Sequence, residues 1–159
     1  MKNLYILRHA KTNQLSKTGR DYDRELLPKG IAQIQLLKDF LNSCDVNEST
    51  QIAVSAAKRT RQTFAGLKDN FAQNTVSFHE ELYLASKNEL LQFIWKTTST
   101  NDLFLIGHNE GISELTSYFL EENVELGTAA FVHLQFDCDS WAEASRGLAT
   151  LKNQFHPKP

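Results

Sequence analysis

Two arginines and two histidines stand where buried strands should end. Leu4-Tyr5-Ile6-Leu7 is continuously apolar and is followed at once by Arg8 and His9. Gln51-Ile52-Ala53-Val54-Ser55 leads after three residues to Arg59, and Leu103-Phe104-Leu105-Ile106 leads through Gly107 to His108. In open α/β sheets, ligands bind in the crevice beyond the carboxyl ends of the strands. If these three strands are parallel, their ends share one edge and the four side chains converge. Guanidinium forks match the oxygen geometry of phosphate, and an imidazole can act as a nucleophile. The chemistry expected of this set is binding of a multi-oxygen anion, phosphate first, and transfer of a phosphoryl group.

Other polar residues carry weaker expectations. Glu80 and Glu81 follow a third candidate strand, Thr75–Phe78, and are the carboxylic acids placed to serve as a general acid. Lys11, Asp23 and Arg24 can shape the rim of a pocket, with Lys11 as a substrate-binding candidate. Arg61 lies two positions from Arg59 and so points elsewhere on a helix. His79, His133 and His156 read as structural or exposed, and Glu121, Glu122 and Glu125 as a solvated turn. No spaced His, Cys and Asp set has the pattern of a metal site, and no metal or other cofactor is expected.

The elements that must position these residues follow from periodicity. Pro28 and Gly30 introduce a helix in which Ile34, Leu37 and Leu41 repeat at helical spacing. Phe64, Leu67 and Phe71 form such a stripe after Arg59; Leu90, Leu91 and Ile94 mark a third helix; Ile112, Leu115 and Phe119 a fourth. The polar segment Thr12–Asp23 is a loop long enough to suggest a functional role. Val132, Leu134 and Phe136 alternate with His133 and Gln135, a strand with one buried and one wetter face. A final strand between Trp141 and Leu151, reached through Asp137 to Ser140, is expected to pair with it. Repeated strand-helix alternation ending in a hairpin-like pair predicts a three-layer α/β sandwich with a mostly parallel central sheet flanked by helices.

Composition narrows the function classes. The 159 residues suit one domain, 1–159, able to bury its own core. A net charge of −2 with basic residues spread along the chain gives no footprint of a nucleic-acid or membrane-surface binder. Cys44 and Cys138 show no metal or redox spacing and read as free thiols in a reducing compartment. With a strand beginning almost at the first residue and no long apolar run, a cytoplasmic location is expected.

Arg8-His9-Ala10-Lys11, Ser55-x-x-x-Arg59-Thr60-x-Gln62-Thr63 and Gly107-His108-Asn109, in this order, resemble the histidine phosphatase superfamily. The resemblance runs from Leu4 to about Pro157 and is strongest to the SixA-type phosphohistidine phosphatases, where a stretch like Asp21-Tyr22-Asp23-Arg24-Glu25-Leu26 precedes a helix opened by a glycine such as Gly30. It departs at Glu25 and Glu110, where proline is usual, and at Leu27, where serine or threonine is usual. It implies a phosphoglycerate-mutase-like fold and a metal-independent phosphatase. His9 is then the nucleophile that carries a transient phosphoryl group, and Arg8, Arg59 and His108 hold its oxygens. The implied substrate is phosphohistidine on a signalling protein, with inorganic phosphate as the pocket's product. A small phosphoester substrate, or a non-catalytic phosphate-binding module, uses the same residues.

Overall fold

The computed structural model describes residues 1–158. Ten main elements follow one another: β1 (Lys2–Arg8), α1 (Pro28–Asn42), β2 (Gln51–Ser55), α2 (Lys58–Leu67), β3 (Val76–His79), α3 (Lys87–Trp95), β4 (Leu103–Gly107), α4 (Gly111–Leu120), β5 (Phe131–Phe136) and β6 (Ala149–Phe155). The strands form one sheet in the order β3-β2-β4-β1-β5-β6. The first four in that order pair in parallel, and β5 and β6 add to the β1 edge antiparallel. This is the mostly parallel α/β sandwich that the alternation of patterns predicts.

Two apolar cores explain why the central strands are hydrophobic at every position. Leu4 and Ile6 of β1 pack with Leu103 and Leu105 into a core shared with α3 and α4. Tyr5 and Leu7, pointing the other way, join Ile52, Val54, Phe104 and Ile106 in a core shared with α1 and α2. A strand covered on both faces cannot alternate polar and apolar residues without burying polar groups. The continuous runs are the consequence.

Parallel pairing then aligns the strand ends. Arg8 of β1 stands opposite Gly107 of β4, and Val54 of β2 opposite Ile106, so β1, β2 and β4 finish along one edge. Because β5 is antiparallel, its beginning lies there too, with Phe131 opposite Leu7. The backbone just beyond is tied across the gap: His9 N–H donates to Gly107 O, Arg8 N–H to Ala130 O, and Ala129 N–H to His9 O.

Two boundaries differ from expectation. The helical stripe Phe64, Leu67, Phe71 is not one α-helix: α2 ends at Leu67 and Lys68–Phe71 tightens into a 3-10 turn, which still buries Phe71. The last strand lies at Ala149–Phe155 rather than between Trp141 and Leu151; Trp141–Glu143 is a 3-10 turn with the indole fully buried. β6 is a largely exposed edge strand whose alternation, Ala149, Leu151 and Phe155 against Thr150, Lys152 and Gln154, is weak and interrupted at Asn153, whereas Trp141 is apolar for a reason unrelated to strand formation.

Candidate active site

The converging strand ends enclose a cavity of about 230 Å³ lined by Arg8, His9, Lys11, Thr12, Gln14, Asp21, Arg24, Arg59, Leu84, His108, Asn109 and Thr128. Four of these, Arg8, His9, Arg59 and His108, are the residues predicted to converge, and Lys11 and Arg24 lie at its rim. The fold brings them from β1, α2 and the loop after β4 across wide sequence separations.

His9 is buried and its Nδ1 lies 2.8 Å from the carbonyl of Ala10. A carbonyl can only accept, so Nδ1 carries the proton and Nε2 carries the lone pair. The imidazole is pushed down to about pKa 3, chiefly by burial; the Ala10 bond opposes this, and the positive charges of Arg59, Arg8 and Arg24 each add a smaller lowering. At neutral pH His9 is therefore an uncharged base with a free ring nitrogen. Its ring centroid lies 5.4 Å from that of His108.

His108 is held differently. Its Nε2 is 2.7 Å from Oγ of Ser55, a fully buried hydroxyl with no other partner. When that hydroxyl donates to Nε2, the proton of His108 sits on Nδ1, a buried atom with no protein partner. Burial first, then repulsion from His9 once that ring is protonated and from Arg59 and Arg8, pushes this imidazole down to about pKa 3 as well, with Asp21 opposing them. Arg8 donates through Nη1 to the carbonyl of Leu126 at 2.9 Å, and burial lowers its pKa. Arg59, whose side chain is only 3 % exposed, donates through both terminal nitrogens to Asp21. Nε of each arginine is buried without a partner. Three buried nitrogens without a protein partner, Arg8 Nε, Arg59 Nε and His108 Nδ1, thus belong to residues that line one cavity, and a buried donor left unpaired costs free energy unless an acceptor reaches it.

Supporting contacts hold this geometry. Thr63 accepts from Ala10 N–H and donates to Arg59 O, linking the His9 loop to α2. Buried Gln33 accepts from Lys11 N–H and donates to Thr128 Oγ1. Gly30 lets the start of α1 lie against the Lys11 carbonyl, since a Cβ there would come within 2.2 Å of that oxygen.

The family model for the histidine phosphatase superfamily (branch 1) matches residues 4–83. An uncharacterized chloroplastic protein of Arabidopsis thaliana is 32% identical over 155 residues, covering 90% of this chain and 70% of its own length. The chain belongs to the histidine phosphatase superfamily. Among solved structures, a protein assigned as the phosphohistidine phosphatase SixA of Agrobacterium tumefaciens superposes with a TM-score of 0.83 at 22% identity, covering 98% of both chains. A protein histidine phosphatase SixA complexed with tungstate gives 0.79 at 18% identity over 97% of this chain and 96% of its own. A mycobacterial glucosyl-3-phosphoglycerate phosphatase gives 0.65 at 14% identity over 94% and 96%. The fold is the phosphoglycerate-mutase-like one.

Within this superfamily site, some expected residues lie elsewhere. Glu80 and Glu81 do not line the cavity: Glu80 accepts from the hydroxyl of Tyr22 at 2.7 Å, and Glu81 lies 2.9 Å from Nδ1 of His79. Strand β3 is an edge strand one place further from the site than β2, and the 3-10 turn at its end, Glu80–Leu82, directs both carboxylates outward. Glu25, Leu27 and Glu110, the points of departure from the family pattern, also lie outside the lining. Asp23 bonds Thr18 and Arg20 instead. The carboxylate that does line the cavity is Asp21, unassigned from sequence because a loop aspartate has no periodicity to mark it. Tyr83, which donates to Asp21, is likewise marked by nothing in the sequence. Among the described residues no group of three or more His, Cys, Asp or Glu is arranged to hold a metal ion, and no helix is long and apolar enough to cross a membrane.

Proposed function

We propose that the protein is a phosphatase in which His9 Nε2 attacks phosphorus in line and carries the phosphoryl group, with phosphohistidine on a protein as substrate. The observation that carries this reading is one cavity lined by Arg8, Arg59 and His108, each with a buried nitrogen that has no protein partner, together with a neutral imidazole, His9, whose Nδ1 is tied to Ala10. Those donors meet the non-bridging oxygens, and each charge-assisted bond contributes roughly 1.5–3 kcal/mol. Phosphoryl transfer asks the protein mainly for such positioning and charge stabilisation. As the Nε2–P bond forms, the bond from phosphorus to the leaving nitrogen breaks, and the departing imidazole takes its proton from water. A second water then attacks the phosphorylated His9, releases inorganic phosphate and restores the free ring.

The choice of leaving group rests on the acid inventory. Among the described residues Asp21 is the one carboxylate lining the cavity. Burial alone would raise its pKa, but hydrogen bonds from Tyr83, Arg24 and Arg59 outweigh that and hold it well below the usual carboxylate range. It stays ionised and has no proton to give. An imidazole leaves without a strong acid, whereas an alkoxide does not. Leu84, half-exposed on the rim, leaves apolar surface for a macromolecule to contact. A small-phosphoester reading draws support from neighbours of the same fold, glucosyl-3-phosphoglycerate phosphatase and a phosphoserine phosphatase of Entamoeba histolytica in complex with 3-phosphoglyceric acid.

Acid-quenched trapping from an activated aryl phosphate tests the nucleophile: the wild type accumulates an acid-labile, base-stable adduct and His9→Ala does not. Turnover on a phosphohistidine protein against a panel of alkyl phosphates tests the substrate class. Phosphate binding without either adduct or turnover would return the chain to a binding module.

A further inference from the structure

The geometry points to Asp21 as the residue that positions Arg59, dividing the guanidinium so that its outer nitrogens are occupied and its inner Nε faces the bound oxyanion. This rests on the reading of Arg59 as an oxyanion ligand. Nη1 of Arg59 donates to the backbone carbonyl of Asp21 at 2.8 Å and Nη2 to its carboxylate at 3.0 Å, leaving Nε buried without a protein partner in a side chain that lines the cavity. A guanidinium is a rigid planar fork, so fixing two of its nitrogens fixes the direction of the third. The carboxylate is itself clamped from two sides, by Nη1 of Arg24 at 3.0 Å and by the hydroxyl of Tyr83. Arg24 in turn reaches Thr12 Oγ1 at 2.6 Å and Asn13 O at 2.8 Å, so the clamp extends to the loop that follows His9.

Two roles for Asp21 are physically distinct. A competitor would sit where the phosphoryl group binds and leave when it arrives; a positioning residue stays. One of the two contacts on Arg59 comes from the Asp21 backbone, inside the 3-10 turn Asp21–Asp23, and does not leave by side-chain rotation. The end of β3 acquires a purpose by the same argument. It delivers Tyr83 to hold Asp21, and Tyr22 packs edge-on against Tyr83 at 5.0 Å between ring centroids.

Tungstate affinity by calorimetry and aryl phosphate kinetics, measured for Asp21→Ala, Asp21→Asn, Tyr83→Phe and Arg59→Ala, decide it. Asp21→Ala is expected to weaken tungstate and raise KM by about tenfold or more, the size of one charge-assisted bond. Asp21→Asn, which keeps an acceptor for Nη2, recovers part of that loss. Tyr83→Phe gives a smaller loss, and adding it to Asp21→Ala costs nothing further, because both act through one clamp. Tighter tungstate binding in Asp21→Ala would make Asp21 a competitor, and unchanged binding would leave it a surface residue; either result overturns the proposal. If Arg59→Ala binds tungstate and turns over as the wild type does, the underlying assignment of Arg59 fails instead.

Discussion

His9 and His108 share a cavity and an equally depressed pKa, yet their hydrogen bonds give them opposite roles. Ala10 O accepts from Nδ1 of His9 and leaves on Nε2 the lone pair that the proposed attack would use, whereas Ser55 Oγ, when it donates, occupies Nε2 of His108 and leaves the proton on Nδ1. In the proposed mechanism these two bonds would separate the nucleophile from the charge stabiliser. Because burial and the neighbouring cations hold His9 down to about 3, kcat/KM for an aryl phosphate, corrected for the substrate's ionisation, stays flat from neutral pH to about pH 5. An acid limb at the ordinary histidine value would contradict the proposed environment. Ser55→Ala removes the partner that selects the His108 tautomer. That variant should lose about tenfold in kcat with a smaller change in folding stability, as measured by steady-state kinetics beside thermal melts.

The ends of β1, β2 and β4 act as one element because register aligns them, Arg8 opposite Gly107 and Val54 opposite Ile106. Each contributes a residue that its own strand could not use alone. The loop after β1 is held against α1 by Lys11 O, which accepts from Leu27 N–H at 3.0 Å, and by the missing side chain at Gly30. A methyl group there must displace backbone rather than a flexible side chain. Gly30→Ala should therefore destabilise the fold by about 1–3 kcal/mol and weaken phosphate binding together, measured by denaturant unfolding and calorimetry. The polar hairpin side is expected to be tolerant by comparison: β6 exposes Thr150, Leu151, Lys152, Asn153 and Gln154.

At the scale of the whole molecule, two apolar cores support a cavity lined by Arg8, Arg59 and His108, each with a buried nitrogen that has no protein partner. Ligand that binds only the folded state stabilises it by mass action, so inorganic phosphate at about a hundredfold over its Kd should add about 2.7 kcal/mol. A thermal shift that grows with the logarithm of phosphate concentration above its Kd, and disappears in Arg59→Ala, would be the signature. Acid works in the opposite direction. In the unfolded chain His9 and His108 take up protons near their ordinary value of 6.5, while the folded chain refuses them until about 3. Between those values the unfolded state binds more protons, so stability falls as pH falls through the window and is unaffected by these groups above it. The loss is expected to be on the order of several kcal/mol, and a His9→Gln variant should show a shallower decline of denaturant midpoint with pH.

The apolar runs of β1, β2 and β4 and the helical stripes after them determined the layered α/β architecture, because burial on both faces leaves its mark in every residue of a strand. The same runs, each followed by Arg8-His9, Arg59 or His108, made the convergent cationic site legible from residue types alone. What had no local period had no local signal. β6 is an exposed edge strand, and Trp141 is buried outside any strand, so the last pairing was misplaced in sequence although its existence was not. Glu80 and Glu81 stand beside the site in sequence but turn outward from an edge strand, while Asp21 and Tyr83 come from separate connecting segments to meet at Arg59. Which carboxylate faces the cavity, which nitrogen of each histidine is free and which donors are left unpaired were decided only by tertiary structure, since each depends on contacts between segments far apart in the chain.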